Sequence, residues 1–323
     1  MNTQITQNPN IYQSNARFPQ VQEDEVDLRE LFSVIWKGKR LIIAITTTFA
    51  IASIGLALYL PNIYKSEALL APASEEQGGG LSALASQFGG LASLAGLNLN
   101  AKGGTDKTQL AIEVLKSRQF TSEFIQRHNI LAELMAAKKW DLNNDKLIYD
   151  EDDYIEESNT WVRDVKPPIK PEPSMQEAYK EFSKILSVNS DKETAMVTIS
   201  ISHLSPNIAQ QWVTWLVQDI NKVMRDRDVA EAHRSTEFLN QQIALTNVAD
   251  IKTVLYKLIE EQAKTIMFAE VRDEYVFKTI DPAFVPEEKA KPKRALICVL
   301  GAMLGGVLGM ILVLVRHFIK KRL

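Results

Sequence analysis

Two uncharged apolar stretches decide the fold of this chain: LIIAITTTFAIASIGLALYL at residues 41–60 and ALICVLGAMLGGVLGMILVLV at residues 295–315. A hydrocarbon core about 30 Å thick requires roughly 20 apolar residues in a helix, and both stretches reach that length. A backbone in lipid must satisfy its own hydrogen bonds, so each stretch is predicted to be a helix. The alternative, a pair of buried core helices, is disfavoured by their length and by the charge clusters at their ends. We therefore predict two transmembrane helices.

Basic residues beside the first span predict its orientation. Lys37, Lys39 and Arg40 precede the span, whereas Lys65 is the only basic residue near its far end. Because an excess of Lys and Arg marks the cytoplasmic side, the N-terminus is predicted to be cytoplasmic, and two spans return the C-terminus to the same side. The basic residues before the second span oppose this rule, but long loops translocate largely regardless of charge.

The first span is predicted to be an uncleaved signal anchor, because its polar leader is too long for a signal peptide. The predicted regions are a cytoplasmic N-terminal segment (1–40), a first transmembrane helix (41–60), a periplasmic domain (61–294), a second transmembrane helix (295–315) and a cytoplasmic tail (316–323).

Composition excludes several functions for the large domain. The only cysteine, Cys298, lies in the second span, so the domain is predicted to have neither disulfides nor thiol chemistry. The domain carries 35 acidic and 28 basic residues, a net charge of −7, which argues against nucleic-acid binding. No pair of the four histidines has metal-ligand spacing, and no nucleophile or phosphate-loop motif is present. We expect no catalytic, cofactor or metal site, and we expect the acidic run 150–157 to be a solvated loop.

The large domain is predicted to be α+β. Residues 63–70 suggest a strand with Ser66, Ala68 and Leu70 on one face, and residues 186–203 suggest a β-hairpin. Residues 205–267 have the pattern of one very long helix, with a break near Thr246 as the alternative. A last strand at residues 275–280 is expected to join the others in a small membrane-proximal sheet. The long helix is expected to rise from this sheet and to be covered by neighbouring copies.

Other segments have simpler patterns. Residues 23–36 suggest an amphipathic helix before the first span. Residues 73–104, rich in Gly, Ala, Ser and Leu, are predicted to be a mobile apolar helix between glycine hinges. Residues 106–128 suggest one or two helices, and residues 141–173 a polar insert. Ser174 and Glu177 form a capping-box pattern that predicts a helix start.

The second span carries a glycine motif. Gly301, Gly305 and Gly309 lie at four-residue steps, which places them on one helix face and permits close helix packing. The first span offers a stripe of small residues that we expect to face them: Ala44, Thr48 and Ala52. The alternative is the ordinary tolerance of membrane helices for glycine.

A basic and proline-rich connector precedes the second span. Its prolines, Pro282, Pro286 and Pro292, predict a stiff extended segment. Two interpretations remain open for its cations: an anchor among membrane lipids, or contact with the pyrophosphate of a lipid-linked glycan. These cations are Lys289, Lys291, Lys293 and Arg294.

Both ends of the chain carry recognisable motifs: DLREL at residues 27–31, WKGKR at 36–40, PNIYKS at 61–66, IDPAFVP at 280–286, KPKRA at 291–295 and GAMLGG at 301–306. These motifs resemble those of a known family, the chain-length determinant (Wzz) class of polysaccharide co-polymerases. A serine often precedes the proline that is Pro292 here, whereas this chain has Lys291, so no role is placed on that position.

The resemblance implies a specific role. Such proteins form ring-shaped homo-oligomers in the inner membrane of Gram-negative bacteria. With a polysaccharide polymerase, they set the number of repeats on a lipid-linked glycan such as lipopolysaccharide O-antigen, and they are not themselves enzymes. The chain ends eight residues after the predicted span, so it is most similar to the kinase-free class. The alternatives are a length regulator or export partner for an exopolysaccharide or capsule, and a two-span membrane sensor or adaptor.

Overall fold

The computed structural model describes residues 28–73 and 103–322. Two compact units divide the chain: a helical unit, made of residues up to Ala57 and from Arg294 onward, and a globular unit, Leu58–Lys293. The predicted mobile segment, 73–104, lies outside the described residues except at its two ends. At its far end, Gly103 and Gly104 begin a helix.

The described residues of the helical unit form three helices: α1 (Leu28–Lys37), α2 (Lys39–Tyr59) and, near the other end of the chain, α9 (Arg294–Arg322). By length and composition, α2 and residues 294–319 of α9 are each able to cross a membrane. The second predicted span falls within α9, and the first falls within α2 except for Leu60. The protein is therefore membrane-anchored, with a large extramembrane domain between the two anchors.

The globular unit mixes helices and strands, as the sequence predicted. Among its described residues, the elements in chain order are β1 (Tyr64–Pro72), α3 (Gly103–Leu115), α4 (Arg118–His128), α5 (Leu131–Met135), β2 (Ala137–Asp141), β3 (Lys146–Tyr149), β4 (Tyr154–Ile155), β5 (Thr160–Trp161), α6 (Met175–Ile185), β6 (Leu186–Ser190), β7 (Val197–His203), α7 (Pro206–Leu245), α8 (Ala249–Val271) and β8 (Phe277–Asp281).

The main sheet joins the first and last strands to the central hairpin, as the alternation of apolar residues predicted. Its order is β6-β7-β1-β8, with every pair antiparallel. Ser66, Ala68 and Leu70 of β1 are all buried, because period-two alternation turns them toward the same face. That face packs against α7, and the shared core includes Leu70, Ile199, Ile201, Trp212, Leu216 and Phe277.

Helix α7 begins where the sequence indicated, because the Ser205 hydroxyl accepts from Ile208 N and Pro206 occupies the first turn. It runs for 40 residues, about 60 Å at 1.5 Å per residue. The chain then breaks at Thr246, and α8 folds back along α7, so that Tyr275 Oη donates to Asp228 Oδ2 at 2.7 Å. The long helix is thus covered in part by its own chain. The alternative of a break near Thr246 is thus confirmed, whereas cover of the helix by neighbouring copies stays a prediction.

Residues 105–294 contain no glycine, and the two small hairpins in this segment were therefore not predicted from the sequence. The polar insert 141–173 contributes to two small hairpins, β2–β3 and β4–β5. Asp145 and Asn159 take positive φ angles at their turns, as Ala195 does between β6 and β7. Asp and Asn tolerate this left-handed region better than most residues, so they replace glycine here. The capping box at Ser174 is present with both of its hydrogen bonds.

Candidate functional site

The glycine face of α9 lies directly against α2. A methyl carbon added at Gly301 would lie 2.5 Å from Ser53 Cβ, and one added at Gly305 would lie 2.8 Å from Phe49 Cβ. At Gly309 the added carbon would lie 3.1 Å from the Cα of Ile42. Each distance is shorter than an ordinary carbon–carbon contact, so the backbones approach closely only because side chains are absent.

The partner face on α2 differs from the predicted one. Ala44, Thr48 and Ala52 are exposed, and Thr48 donates its hydroxyl hydrogen to Ala44 O at 2.9 Å within the helix. The expected match of one small stripe with another was wrong. Because three glycines leave a groove in α9, the opposing helix does not need small residues and instead inserts larger ones. The residues opposite the glycines are Ile42, Thr46, Phe49 and Ser53.

The proline-rich connector is fixed along the sheet by hydrogen bonds. Ser66 Oγ on β1 donates to Phe284 O at 2.7 Å, and Gln210 Nε2 on α7 donates to Ala283 O at 3.3 Å. Further along, Ile63 N donates to Lys291 O at 2.9 Å, and Ala290 N donates to Ile63 O at 2.8 Å. The entry to β1 and the exit from the globular unit are therefore joined through backbone atoms.

The connector's prolines have different surroundings. Pro286 is buried, Pro282 is exposed and Pro292 is half-buried. Only Pro286 thus belongs to the packed interior.

The basic residues before α9 are accessible to solvent. Lys289, Lys291 and Lys293 are exposed, and Arg294 is half-buried at the start of the helix. Since Lys291 is held by the backbone pairing with Ile63, its position relative to β1 is fixed. An ordered group of exposed cations is suited to a phosphate or lipid headgroup. Their role in binding a glycan or lipid stays a prediction.

Asn221 is a buried polar residue that the sequence analysis missed. Its Oδ1 accepts from the backbone N of Val276 at 2.8 Å and of Phe277 at 2.9 Å. Its Nδ2 donates to Phe277 O and to Val217 O, both at 3.1 Å. A single side chain on α7 therefore satisfies the backbone at the start of β8. Nothing in its sequence position distinguishes it from a solvated helical Asn.

A second polar group lies on the other side of α7. Asp219 Oδ2 is 2.8 Å from Arg127 Nη1 and 3.0 Å from His128 Nε2. The His128 ring stacks on Trp215, with the ring centroids 4.2 Å apart. These contacts tie the end of α4 to α7. The arrangement gives His128 a structural role, because its ring is held between Asp219 and Trp215.

His203 lies beside a cavity of about 150 Å³ that is also lined by Glu133 and Ile185. Ser205 N donates to His203 Nδ1 at 3.1 Å, so Nε2 carries the hydrogen that points to Glu133 O at 3.2 Å. Burial lowers the pKa of His203 and favours the neutral ring, while burial raises the pKa of Glu133. Among the residues that the structure describes, no three His, Cys, Asp or Glu side chains are grouped to hold a metal ion.

Comparisons with known proteins agree with the resemblance at both ends of the chain. A family model described as chain length determinant protein (Wzz) matches residues 24–128. A second model, described as the G-rich domain on putative tyrosine kinase (GNVR), matches residues 239–318. Because the second description names putative tyrosine kinases, the similarity to the kinase-free class stays a prediction.

Solved structures of related description are also similar to this chain. One is a full-length bacterial polysaccharide co-polymerase, at 14% identity and a TM-score of 0.37, covering 91% of this chain and 99% of that chain. Another is a fragment of WzzB, a polysaccharide co-polymerase from Salmonella Typhimurium, at 12% identity and a TM-score of 0.28, covering 71% of this chain and 100% of that chain. A comparison with curated protein sequences gave no significant match. Residues 24–128 of this chain are therefore similar to chain length determinant (Wzz) proteins, and residues 239–318 are similar to the G-rich domain on putative tyrosine kinase.

Proposed function

We propose that this protein regulates the chain length of a lipid-linked cell-surface polysaccharide, most specifically lipopolysaccharide O-antigen. It acts as an oligomeric scaffold in the inner membrane of a Gram-negative bacterium, together with a polysaccharide polymerase and the growing lipid-linked glycan. The single observation that carries the proposal is the chain length determinant match over residues 24–128.

The proposed topology follows the basic residues at the first span. Residues 1–40 and 316–323 are cytoplasmic, residues 41–60 and 295–315 cross the membrane, and residues 61–294 form the periplasmic chain-length determinant domain. Two candidate spans around one large unit support this arrangement. A co-polymerase placed in this way meets the glycan on the periplasmic side.

The proposed ring rests on apolar side chains that the chain leaves uncovered. Leu245, at the end of α7, is 78% exposed, and Val271, at the end of α8, is 83% exposed. Large exposed apolar side chains on a soluble unit indicate contact with another molecule. Neighbouring copies are the proposed cover, because closed homo-oligomers are the commonest assembly of identical chains. The other exposed apolar residues of this hairpin include Phe238, Ile251, Tyr256 and Met267.

A second candidate function is length control of an exopolysaccharide. The G-rich match over residues 239–318 favours it, because the description of that model names putative tyrosine kinases rather than an O-antigen system. Both functions use the same scaffold and differ in the glycan.

One set of strains tests the proposal and separates the two glycans. The strains lack the protein, re-express it, or re-express Leu245→Glu; Gln241→Glu is the matched control, because it adds the same charge at an exposed position on the same helix. In a gel profile of lipopolysaccharide, we expect a narrow cluster of long chains with the wild type and the control. A random ladder is expected without the protein and with Leu245→Glu, since a buried charge disrupts the contact between copies.

Other outcomes have equally clear meanings. If the lipopolysaccharide profile is the same in all strains, secreted polysaccharide is sized next, and a change there supports the exopolysaccharide function. If neither polysaccharide changes, the proposed function is wrong. If Leu245→Glu restores the cluster as well as the control does, the α7–α8 hairpin is not the contact between copies.

A further inference from the structure

The amphipathic helix α1 is attached to the helical unit by a contact that requires glycine. Gly38 N donates to Val34 O at 2.9 Å, and Leu41 N donates to Gly38 O at 2.9 Å, so α1 leads into α2 with only Gly38 between them. A Cβ at Gly38 would overlap the side chain of Val313 on α9. Val34 and Val313 are both buried. One face of α1 is therefore held against the last part of α9.

The opposite face of α1 is apolar and uncovered. Phe32 is 66% exposed and Trp36 is 62% exposed, and their rings are stacked with centroids 6.1 Å apart. Since Val313 lies against Gly38, the residues that follow it on α9 lie beside α1. Two of these, Phe318 and Ile319, are also exposed. Both helices thus present apolar side chains at the same end of the helical unit.

Cations surround these apolar side chains. Lys37, Lys39 and Arg40 are exposed at the junction of α1 and α2, and Arg316 is exposed on α9. Lys39 Nζ lies 4.9 Å from the centroid of the Trp36 ring, so an ammonium group and an indole share one site. Within residues 28–73 and 103–322, no salt bridge neutralises these four cations.

We propose that this end of the helical unit docks on anionic phospholipid headgroups. We call the surface the collar; it consists of Phe32, Trp36, Lys37, Lys39, Arg40, Arg316, Phe318 and Ile319. The occupant is lipid because the collar continues, through Gly38 alone, into a helix apolar enough to cross a membrane. The rings lie at the headgroup level where indoles are enriched, and the cations face the phosphates.

The collar restricts how far the helix pair slides and tilts in the membrane, which the apolar spans alone do not. Apolar side chains in a bilayer resist only movement out of the hydrocarbon, and they leave the helix pair free to slide and tilt. Aromatic and basic side chains at the headgroup level oppose both movements. The collar therefore fixes the depth of α2 and α9 in the membrane. The inference concerns lipid contact and is independent of which glycan the protein regulates.

The first test measures whether Trp36 contacts lipid in the full-length protein. The chain is labelled with 5-fluorotryptophan and reconstituted into phosphatidylcholine–phosphatidylglycerol nanodiscs, and the Trp36 ¹⁹F resonance is assigned by Trp36→Phe. Lipids carrying a nitroxide near the headgroup are then added. We expect the Trp36 resonance to lose most of its intensity, while that of Trp212, which is buried in the globular unit, is retained. No loss at Trp36 overturns the proposal and indicates that a protein covers the collar; equal loss at Trp36 and Trp212 also overturns it, because the broadening is then not specific to the collar.

The second test measures the preference for anionic lipid. Nitroxide-labelled phosphatidylglycerol should broaden the Trp36 resonance more than labelled phosphatidylcholine does. Each cation near an anionic surface strengthens its attraction to that surface about fivefold. The triple variant Lys37→Gln/Lys39→Gln/Arg40→Gln should therefore remove most of the difference in broadening between the two lipids. The matched control removes three positive charges before α9, at Lys289, Lys291 and Lys293, and should keep it. If the two lipids broaden the wild-type resonance equally, the anionic headgroup is not the ligand.

Discussion

Replacement of Asn221 by alanine should destabilise the globular unit more than any ordinary Asn replacement. The side chain is buried and makes four hydrogen bonds, three of which satisfy backbone groups at Val276 and Phe277. Alanine leaves two buried N–H groups and one carbonyl without these partners. The change also detaches the start of β8 from α7, so it acts on the strand that leads into the proline-rich connector.

The cost follows from those three groups. A buried donor or acceptor left unsatisfied costs about 1–3 kcal/mol. Partial entry of water lowers the sum, so we expect Asn221→Ala to cost about 3–6 kcal/mol, against a total stability of about 5–15 kcal/mol for a typical domain. For a unit of this size each kcal/mol lowers Tm by about 2–4 °C, which predicts a decrease of roughly 6–24 °C.

The assay is thermal unfolding of the full-length protein in detergent, followed by tryptophan fluorescence. Asn207→Ala is the control, because Asn207 lies in the first turn of the same helix and makes one solvent-accessible hydrogen bond, to Asp145 at 2.6 Å. This variant should lose no more than about 1 kcal/mol. If Asn221→Ala and Asn207→Ala lower Tm equally, Asn221 does not hold β8, and the reasoning from these hydrogen bonds is refuted.

Three further changes have defined outcomes. Gly305→Ala should reduce the amount of folded protein in membranes, because the added carbon would lie 2.8 Å from Phe49 Cβ. Gly306→Ala is the control and should not reduce it, because there the added carbon would lie 3.8 Å from Thr46 Oγ1. Equal immunoblot signals for the two variants would contradict the close packing. Lys289→Glu/Lys293→Glu, with expression unchanged, should alter polysaccharide length on gels if the connector binds a lipid pyrophosphate, whereas an unaltered profile removes that role. Burial lowers the pKa of His203, so protonation of this ring favours the unfolded chain. The Tm should therefore fall as the pH decreases below about 6.5. His203→Gln should weaken this dependence in a melting series from pH 8 to 5.

The sequence predicted well those parts of the fold that are marked by a local pattern of residues. The buried face of β1 follows from Ser66, Ala68 and Leu70, because neighbouring side chains in a strand point to opposite faces whatever the rest of the chain does. The spans follow from length and apolarity, and the start of α6 follows from a capping box contained in four residues. Each of these signals is local, so no tertiary information was needed.

The errors arise where tertiary structure selects among local alternatives. In α3, Leu110 has helical apolar spacing and is nevertheless exposed, because spacing alone does not determine how wide the buried stripe is. The stripe at Ala44 and Thr48 was chosen for small size, although the groove made by the α9 glycines admits Phe49. The return of α8 along α7 depends on contacts between residues distant in the chain, and Thr246 by itself gives only a weak signal.

The connector shows why the candidate site was harder to predict than the fold. Its prolines indicated an extended segment, yet what fixes it is a set of partners on other elements. Ser66 on β1 holds the carbonyl of Phe284, and Ile63 pairs with Lys291. Both partners precede the connector by more than two hundred residues, so local sequence carries no sign of them. The consequence is structural: Lys291 is joined through backbone hydrogen bonds to Ile63, directly before β1, and the same sheet is attached to α7 through Asn221 and β8. The connector, the main sheet and α7 are therefore held together by contacts between residues distant in the chain, and a pattern read along the sequence does not contain such contacts.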